Sequence, residues 1–68
     1  MGYMKIIKKL RTDNNITQKE LAAVLDTSQT MYARYERGAN ELPIRHLIRL
    51  AKYYNVSTDY LLGLQTSK

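Results

Sequence analysis

A chain of 68 residues without cysteine has few ways to stabilise a fold. Disulfide bonds are excluded, and the single histidine cannot build a metal site with several histidine or cysteine ligands. A domain of this size hides only about 60% of the surface that its unfolded chain exposes. Stability must therefore come from close packing of regular elements, which favours a compact bundle of helices.

The first part of the chain carries two helix signals in succession. Apolar residues recur at the three- and four-residue steps of one helical face at Tyr3, Ile6, Ile7 and Leu10. Residues 13–15 favour turns and should end this first helix. Thr17-Gln18-Lys19-Glu20 has the pattern of a capping box, in which Thr17 and Glu20 cap each other's backbone. A second helix should therefore follow Thr17 and end before a turn at Asp26-Thr27.

A third helix is predicted after a turn of about three residues. Ser28 supplies its N-cap, and Gly38 stands where a left-handed C-terminal cap is needed. The helix should run from Ser28 to about Arg37, with Tyr32 and Tyr35 facing inward. Two helices joined so closely are typical of a helix-turn-helix, although such hairpins also occur as plain packing units.

The remaining sequence predicts two further helices. Pro43 suits the first turn of helix four, and Asn55 should end it. The expected apolar stripe of this helix consists of Ile44, Leu47, Ile48, Ala51 and Tyr54. Ser57 should cap a fifth helix that runs to Gly63. We therefore expect one all-α domain over residues 1–68, with five helices, a core at about 4–63 and a tail at 64–68.

Charge and composition narrow the function classes. The net charge of +5 favours a polyanionic partner, with nucleic acid first, although a basic surface without any binding role stays an alternative. No apolar run approaches the roughly 20 residues of a membrane span, and the N-terminus lacks a signal-peptide core. We expect a cytoplasmic protein that has no membrane partner. His46 lacks triad partners and the carboxylates are dispersed, so we expect no enzyme, cofactor, metal or small-molecule substrate.

Side chains suited to base reading lie on the exposed side of helix three. Gln29 can bond adenine through two hydrogen bonds, and Arg34 can bond both acceptors of guanine. Thr30 can offer a hydroxyl and a methyl group to thymine. At the start of helix two, Gln18 can bind a phosphate oxygen, which sets register without reading sequence. The alternative is that these polar side chains are only solvated.

Several short motifs in fixed order resemble the phage-repressor family of helix-turn-helix proteins, also called Cro-like or XRE-type. They are Thr17-Gln18-Lys19-Glu20-Leu21-Ala22, Tyr35-Glu36-Arg37-Gly38, and Leu50-Ala51 through Val56-Ser57 to Leu61-Leu62-Gly63. The resemblance covers about Ile6 to Gly63. It implies a five-helix, lambda-repressor-like domain whose helices two and three form the motif. It also implies a transcriptional regulator, with a repressor role preferred, that binds a pseudo-palindromic operator as a homodimer.

The resemblance also implies roles for single residues. Gln29, Thr30 and Arg34 match base-facing positions. The residues assigned to the DNA backbone are Thr17, Gln18, Ser28, Arg37 and Asn40. Arg11 and Glu36 match a pair of opposite charges that braces helix three. Asp26 stands where the family often has the turn glycine, and Asp accepts left-handed conformations better than most residues.

Other residues have plainer interpretations. Arg45, Arg49 and Lys52 are expected to form an ordinary exposed face, with DNA-backbone contact as the alternative. His46 is expected on the helix surface without a special role. A dimer patch is predicted at Tyr53, Tyr60 and Leu64.

Two rival functions stay open at this point. The first is an antitoxin-like or coactivator-like module that uses the same fold to hold a protein. The second is non-specific coating of nucleic acid, which predicts a lysine-rich helix three instead of one carrying Gln29, Thr30 and Arg34.

Overall fold

The computed structural model describes residues 2–67 as helices joined by short turns. The elements are α1 (Gly2–Asp13), α2 (Gln18–Val24), α3 (Gln29–Arg37), α4 (Ile44–Tyr54) and α5 (Thr58–Leu61). No β-strand occurs in this part of the chain. The predicted all-α fold with five helices is confirmed. Residues 1 and 68, the ends of the predicted domain and tail, lie outside the described range.

Side-chain caps set the starts of α2 and α3. Thr17 Oγ1 accepts from the Glu20 amide at 3.0 Å, and Glu20 Oε1 accepts from the Thr17 amide at 2.9 Å. Ser28 Oγ accepts from the Met31 amide at 3.0 Å. These contacts satisfy amide groups that the helices leave without backbone partners. The predicted capping box is confirmed.

The turn between α2 and α3 depends on a residue in the left-handed region. Asp26 has φ of 55°, which aspartate tolerates better than most side chains. The Thr27 amide donates to the Ala22 carbonyl at 2.9 Å and closes the turn. At the other end of α3, Gly38 adopts φ of 77° and donates back to the carbonyls of the last turn. The turn therefore survives without a glycine at position 26.

The start of α4 differs from the prediction by one residue. Pro43 is the N-cap, with φ of −61° and ψ of 149°, and is not part of the first turn. Its carbonyl accepts from the amides of His46 and Leu47 at 3.0 and 3.1 Å. The extended ψ places this carbonyl at the helix start, so the first helical residue is Ile44.

The predicted apolar stripe of α4 is partly wrong. Ile44 and Ile48 are 74% and 45% exposed, whereas Leu50 and Ala51 are buried. His46, expected on the surface, is only 6% exposed, and its ring lies edge-on to Tyr35 with centroids 5.8 Å apart. The helix turns this aromatic histidine inward, because imidazole packs well against a ring of α3. A periodicity analysis that counts histidine as polar therefore predicts a partly wrong buried side for α4.

The core lies on the side of α3 that carries Tyr32 and Tyr35. Its largest fully buried side chains are Tyr32, Ile7, Leu21, Leu25, Leu50 and Leu61. Helix α3 packs against α1 and α2, and α5 packs against α1 and α4. One side of α3 is thereby held by the bundle while the opposite side faces outward. No helix in residues 2–67 is long and apolar enough to cross a membrane.

Helix α5 is shorter than predicted, because it ends at Leu61 instead of Gly63. The segment that follows folds back on it. The Leu64 amide donates to the Asp59 carbonyl at 2.8 Å, and Gln65 Nε2 donates to Ser57 Oγ at 2.9 Å. The first residues of the predicted tail are therefore attached to the domain.

Candidate nucleic-acid interface

The outward side of α3 brings together the side chains that the sequence assigned to DNA. It carries Gln29, Thr30, Arg34 and Arg37, all exposed. An α-helix turns by about 100° per residue, so Thr30, Arg34 and Arg37 project within about 60° of one another. Tyr32 and Tyr35 lie on the opposite side, 0% and 5% exposed. The core thus fixes which side of α3 is available to a ligand.

A buried carboxylate ties α3 to the two preceding helices. Glu36 Oε2 accepts from Arg11 Nε at 2.7 Å and from the Tyr32 hydroxyl at 2.6 Å. Glu36 Oε1 accepts from Arg11 Nη2 at 3.1 Å and from Gln18 Nε2 at 2.9 Å. Arg11 Nη1 also donates to the Ile16 carbonyl at 2.8 Å. The ends of α1 and α3 and the beginning of α2 therefore meet at one carboxyl group.

This carboxylate is charged in the folded protein. Burial alone would raise the pKa of Glu36, but hydrogen bonds from Arg11, Tyr32 and Gln18 hold that pKa below its usual value. The hydrogen bond to Glu36 likewise raises the pKa of Arg11. Since Arg11 compensates the charge of Glu36, the nearby Gln18 can face an anion without strong repulsion.

The residues assigned to the DNA backbone lie on both sides of α3. Gln18 is half-buried, with its amide oriented by Glu36. Thr17 and Ser28 are exposed, and their hydroxyl oxygens act as helix caps while their protons stay able to donate to a phosphate. Asn40, after the C-cap of α3, accepts a hydrogen bond from Arg34 Nε at 2.7 Å.

The sequence analysis did not predict two of the hydrogen bonds to Glu36, those from Tyr32 and Gln18. Tyr32 precedes Glu36 by four residues, a spacing that places both on one helical face and could have revealed their hydrogen bond. The contact between Gln18 and Glu36 joins residues 18 apart and gives no local signal.

The basic side of α4 lies beside the turn of the helix-turn-helix. Arg45, Arg49 and Lys52 are exposed, as expected. Arg49 Nη1 donates to the Val24 carbonyl at 3.3 Å, near the end of α2. Within residues 2–67, no cluster of three or more His, Asp or Glu side chains could hold a metal ion.

Two tyrosines give a matched test of the Glu36 network. Replacing Tyr32 with phenylalanine should lower the free energy of unfolding by about 1.5–3 kcal/mol, because a hydrogen bond to a charged group is lost. Tyr54 Oη is buried and has no hydrogen-bond partner in the described chain. Tyr54→Phe should therefore be neutral or stabilising. Urea unfolding of both variants measures the difference, and equal losses would contradict this account of Glu36.

Acid should destabilise the domain in two steps. Burial lowers the pKa of His46, and the positive charges of Arg45 and Arg49 lower it further by smaller amounts. The unfolded chain therefore binds the proton more readily, and stability is lost as the pH falls below about 6.5, the ordinary histidine value. The lowered pKa of Glu36 adds a further loss below about pH 4.5.

The first step can be isolated because the chain has one histidine. Urea unfolding at about pH 7.5 and about pH 5.5 should give a lower free energy of unfolding at the acidic value. His46→Gln should flatten the dependence in that range. An unchanged slope in the variant would assign the pH effect to another group.

Comparisons with known proteins agree with this geometry. A family model described as helix-turn-helix matches residues 7–61. The transcriptional regulator ImmR of Bacillus subtilis is 40% identical over 63 residues, covering 93% of this chain and 50% of its own length. The uncharacterised regulator YobD of the same organism is 34% identical over 62 residues, with coverage of 91% and 55%. The chain thus spans about half the length of these curated relatives.

A further relative and a solved structure extend the comparison. The transcriptional activator BcrR of Enterococcus faecalis is 32% identical over 63 residues, covering 93% of this chain and 31% of its own length. The crystal structure of a transcriptional regulator from Listeria innocua superimposes with a TM-score of 0.84 at 28% identity, covering 90% of this chain and 57% of that one. With the helix-turn-helix made by α2 and α3 and the family match across most of the five helices, the chain belongs to the XRE-type helix-turn-helix family.

Proposed function

We propose that this chain is a sequence-specific regulator of transcription that binds double-stranded DNA with α3 in the major groove. The observation that carries the proposal is the outward side of α3. Gln29, Thr30 and Arg34 are exposed there, opposite the buried tyrosines, and their chemistry matches the donors and acceptors of base edges. The relatives are named as transcriptional regulators, which supports the same function here.

The backbone contacts flank this reading surface. Gln18 uses one amide hydrogen for Glu36 and keeps a second for a phosphate oxygen. Thr17, Ser28, Arg37 and Asn40 would contribute the remaining backbone contacts. These contacts set the position of α3 on the duplex, whereas Gln29, Thr30 and Arg34 choose the sequence.

The regulator would act as a homodimer on an operator with two-fold symmetry. Successive major grooves on one side of B-DNA lie about 34 Å apart. The body measures 30 × 21 × 21 Å, so two adjacent copies can place their α3 helices at that separation. Exposed apolar side chains suited to the contact are Ile44, Ile48, Tyr53 and Leu64. Tyr60, part of the predicted patch, is half-buried and contributes less.

Repression is the simplest regulatory outcome, because a bound dimer blocks access of other proteins to the same DNA. Among the relatives, BcrR is named as a transcriptional activator, so activation is the alternative outcome. The proposal involves binding without catalysis or a cofactor, and it places the protein with DNA in the cytoplasm.

The proposal is tested by selection from a random pool of double-stranded DNA at physiological salt. We expect an enriched two-fold motif with half-sites about one helical turn apart. Arg34→Ala should cost about 1–3 kcal/mol on this motif and relax preference at one position of each half-site. Gln18→Ala should weaken binding to all sequences alike. Thr12→Ala, which changes an exposed side chain whose hydrogen bond lies within α1, is the control and should bind normally.

Two outcomes would count against the proposal. If Arg34→Ala and Gln18→Ala had the same effect on every sequence, the division into base-reading and backbone-binding residues would be wrong. If no motif were enriched, the protein-holding function would become the better explanation.

A further inference from the structure

The guanidinium group of Arg34 is held by a residue outside α3. Arg34 Nε donates to Asn40 Oδ1 at 2.7 Å, and both side chains are exposed. Arg34 lies in the last turn of α3, whereas Asn40 follows the left-handed Gly38. The contact therefore links the proposed base reader to the loop that follows the helix.

The loop backbone fixes Asn40 relative to Arg34. The Ala39 amide donates to the Arg34 carbonyl at 2.9 Å, and the Asn40 amide approaches the same oxygen at 3.4 Å. The Gly38 amide also donates to this carbonyl. Three consecutive amides thus point to one carbonyl oxygen. These contacts fix the main chain at Asn40, from which its side chain reaches Arg34.

The geometry of the contact leaves the useful part of Arg34 available. Arginine has five N–H donors, and the bond to Asn40 occupies the one on Nε. The two terminal nitrogens keep their four donors in one plane, which suits the O6 and N7 acceptors of guanine. Because Asn40 is neutral, it restrains this plane without cancelling the positive charge that DNA attracts. An acidic residue at position 40 would restrain the plane and reduce that charge.

We propose that Asn40 is a positioning residue for base recognition, which holds the Arg34 guanidinium so that its terminal nitrogens face a guanine. This inference rests on the proposed function. It assigns part of the sequence preference to a loop residue that does not itself touch the base. The Nδ2 group of Asn40 stays free to donate to a phosphate, so one side chain can join a backbone contact to a base contact.

A simple backbone role for Asn40 predicts something different. Replacing a residue that only binds phosphate lowers the affinity for all sequences equally, and this loss adds to that of Arg34→Ala. Replacing a positioning residue lowers the discrimination between bases at the position that Arg34 reads. Its effect on discrimination then disappears once Arg34 is replaced, because no guanidinium remains to be oriented.

The test uses the duplex most enriched by the wild-type chain and a set of duplexes with each guanine of a half-site replaced in turn. Affinities are measured for the wild type, Asn40→Ala, Arg34→Ala and the double variant. Asn40→Asp is included because its carboxylate keeps an acceptor for Nε. Thermal unfolding of each variant confirms that the fold is retained.

We expect Asn40→Ala to reduce discrimination at the Arg34-dependent base by about 3- to 10-fold, the cost of ordering one flexible side chain on binding. No further loss of discrimination should occur in the Arg34→Ala background, where losing the phosphate contact of Asn40 lowers the affinity for every duplex by the same factor. Asn40→Asp should keep the base preference while binding all duplexes more weakly. A uniform loss with Asn40→Ala that adds to Arg34→Ala would overturn the positioning role. If Arg34→Ala itself left discrimination unchanged, the base-reading role of Arg34 would fail first, and the role of Asn40 with it.

Discussion

Replacing Glu36 with alanine is expected to lower the free energy of unfolding by about 3–5 kcal/mol, the usual cost of leaving one charge of a buried pair without its partner. The Glu36 and Arg11 side chains are only 3% and 11% exposed. Tyr32 and Gln18 would lose their acceptor in the same variant. A domain of this length has a total stability of about 3–10 kcal/mol, so Glu36→Ala should remove from about a third to all of it.

Circular dichroism with urea unfolding measures this loss. Glu41→Ala is the matched control, because Glu41 is exposed and its replacement should change stability by less than about 0.5 kcal/mol. Adding Arg11→Met to Glu36→Ala should recover part of the loss by removing the uncompensated charge. If Glu36→Ala were as stable as Glu41→Ala, the hydrogen bonds to Glu36 would not stabilise the fold.

The second large effect is expected at Leu61. Its side chain is 0% exposed at the end of α5, a helix of four residues that cannot be stable by itself. Leu61→Ala should cost about 2–5 kcal/mol, from lost burial and from the cavity left between α1, α4 and α5. Helix α5 is therefore held mainly by this anchor.

Leu64→Ala is the control for that substitution. Leu64 is 72% exposed three residues later, and its replacement should change the stability of the monomer, measured at low protein concentration, by less than about 0.5 kcal/mol. Urea unfolding of both variants gives the comparison. Similar values for the two would mean that α5 is not anchored by Leu61, and that the core ends at α4.

Local signals in the sequence predicted the positions of the helices well. The cap at Thr17 and the left-handed Gly38 depend only on near neighbours, so their chemistry is visible in the sequence. The inward tyrosines of α3 followed from helical spacing, and with them the outward side of the candidate interface.

Contacts between distant segments were not predictable in the same way. The buried side of α4 depends on the packing of His46 against Tyr35, and periodicity favoured Ile44 and Ile48 instead. The Gln18 contact to Glu36 exists because α2 and α3 meet in space. The resemblance implied the pair of Arg11 and Glu36, whereas the hydrogen bonds that surround it are visible only in the structure.

The central claim is that α3 and its flanking residues form the DNA-binding surface. It is tested most directly by an NMR titration of the nitrogen-labelled chain with the selected operator duplex. The account predicts the largest amide shifts at residues 17–19, 28–34 and 37–40. Large shifts confined to the exposed side of α4, around Ile44 and Ile48, would contradict it and assign DNA binding to another surface.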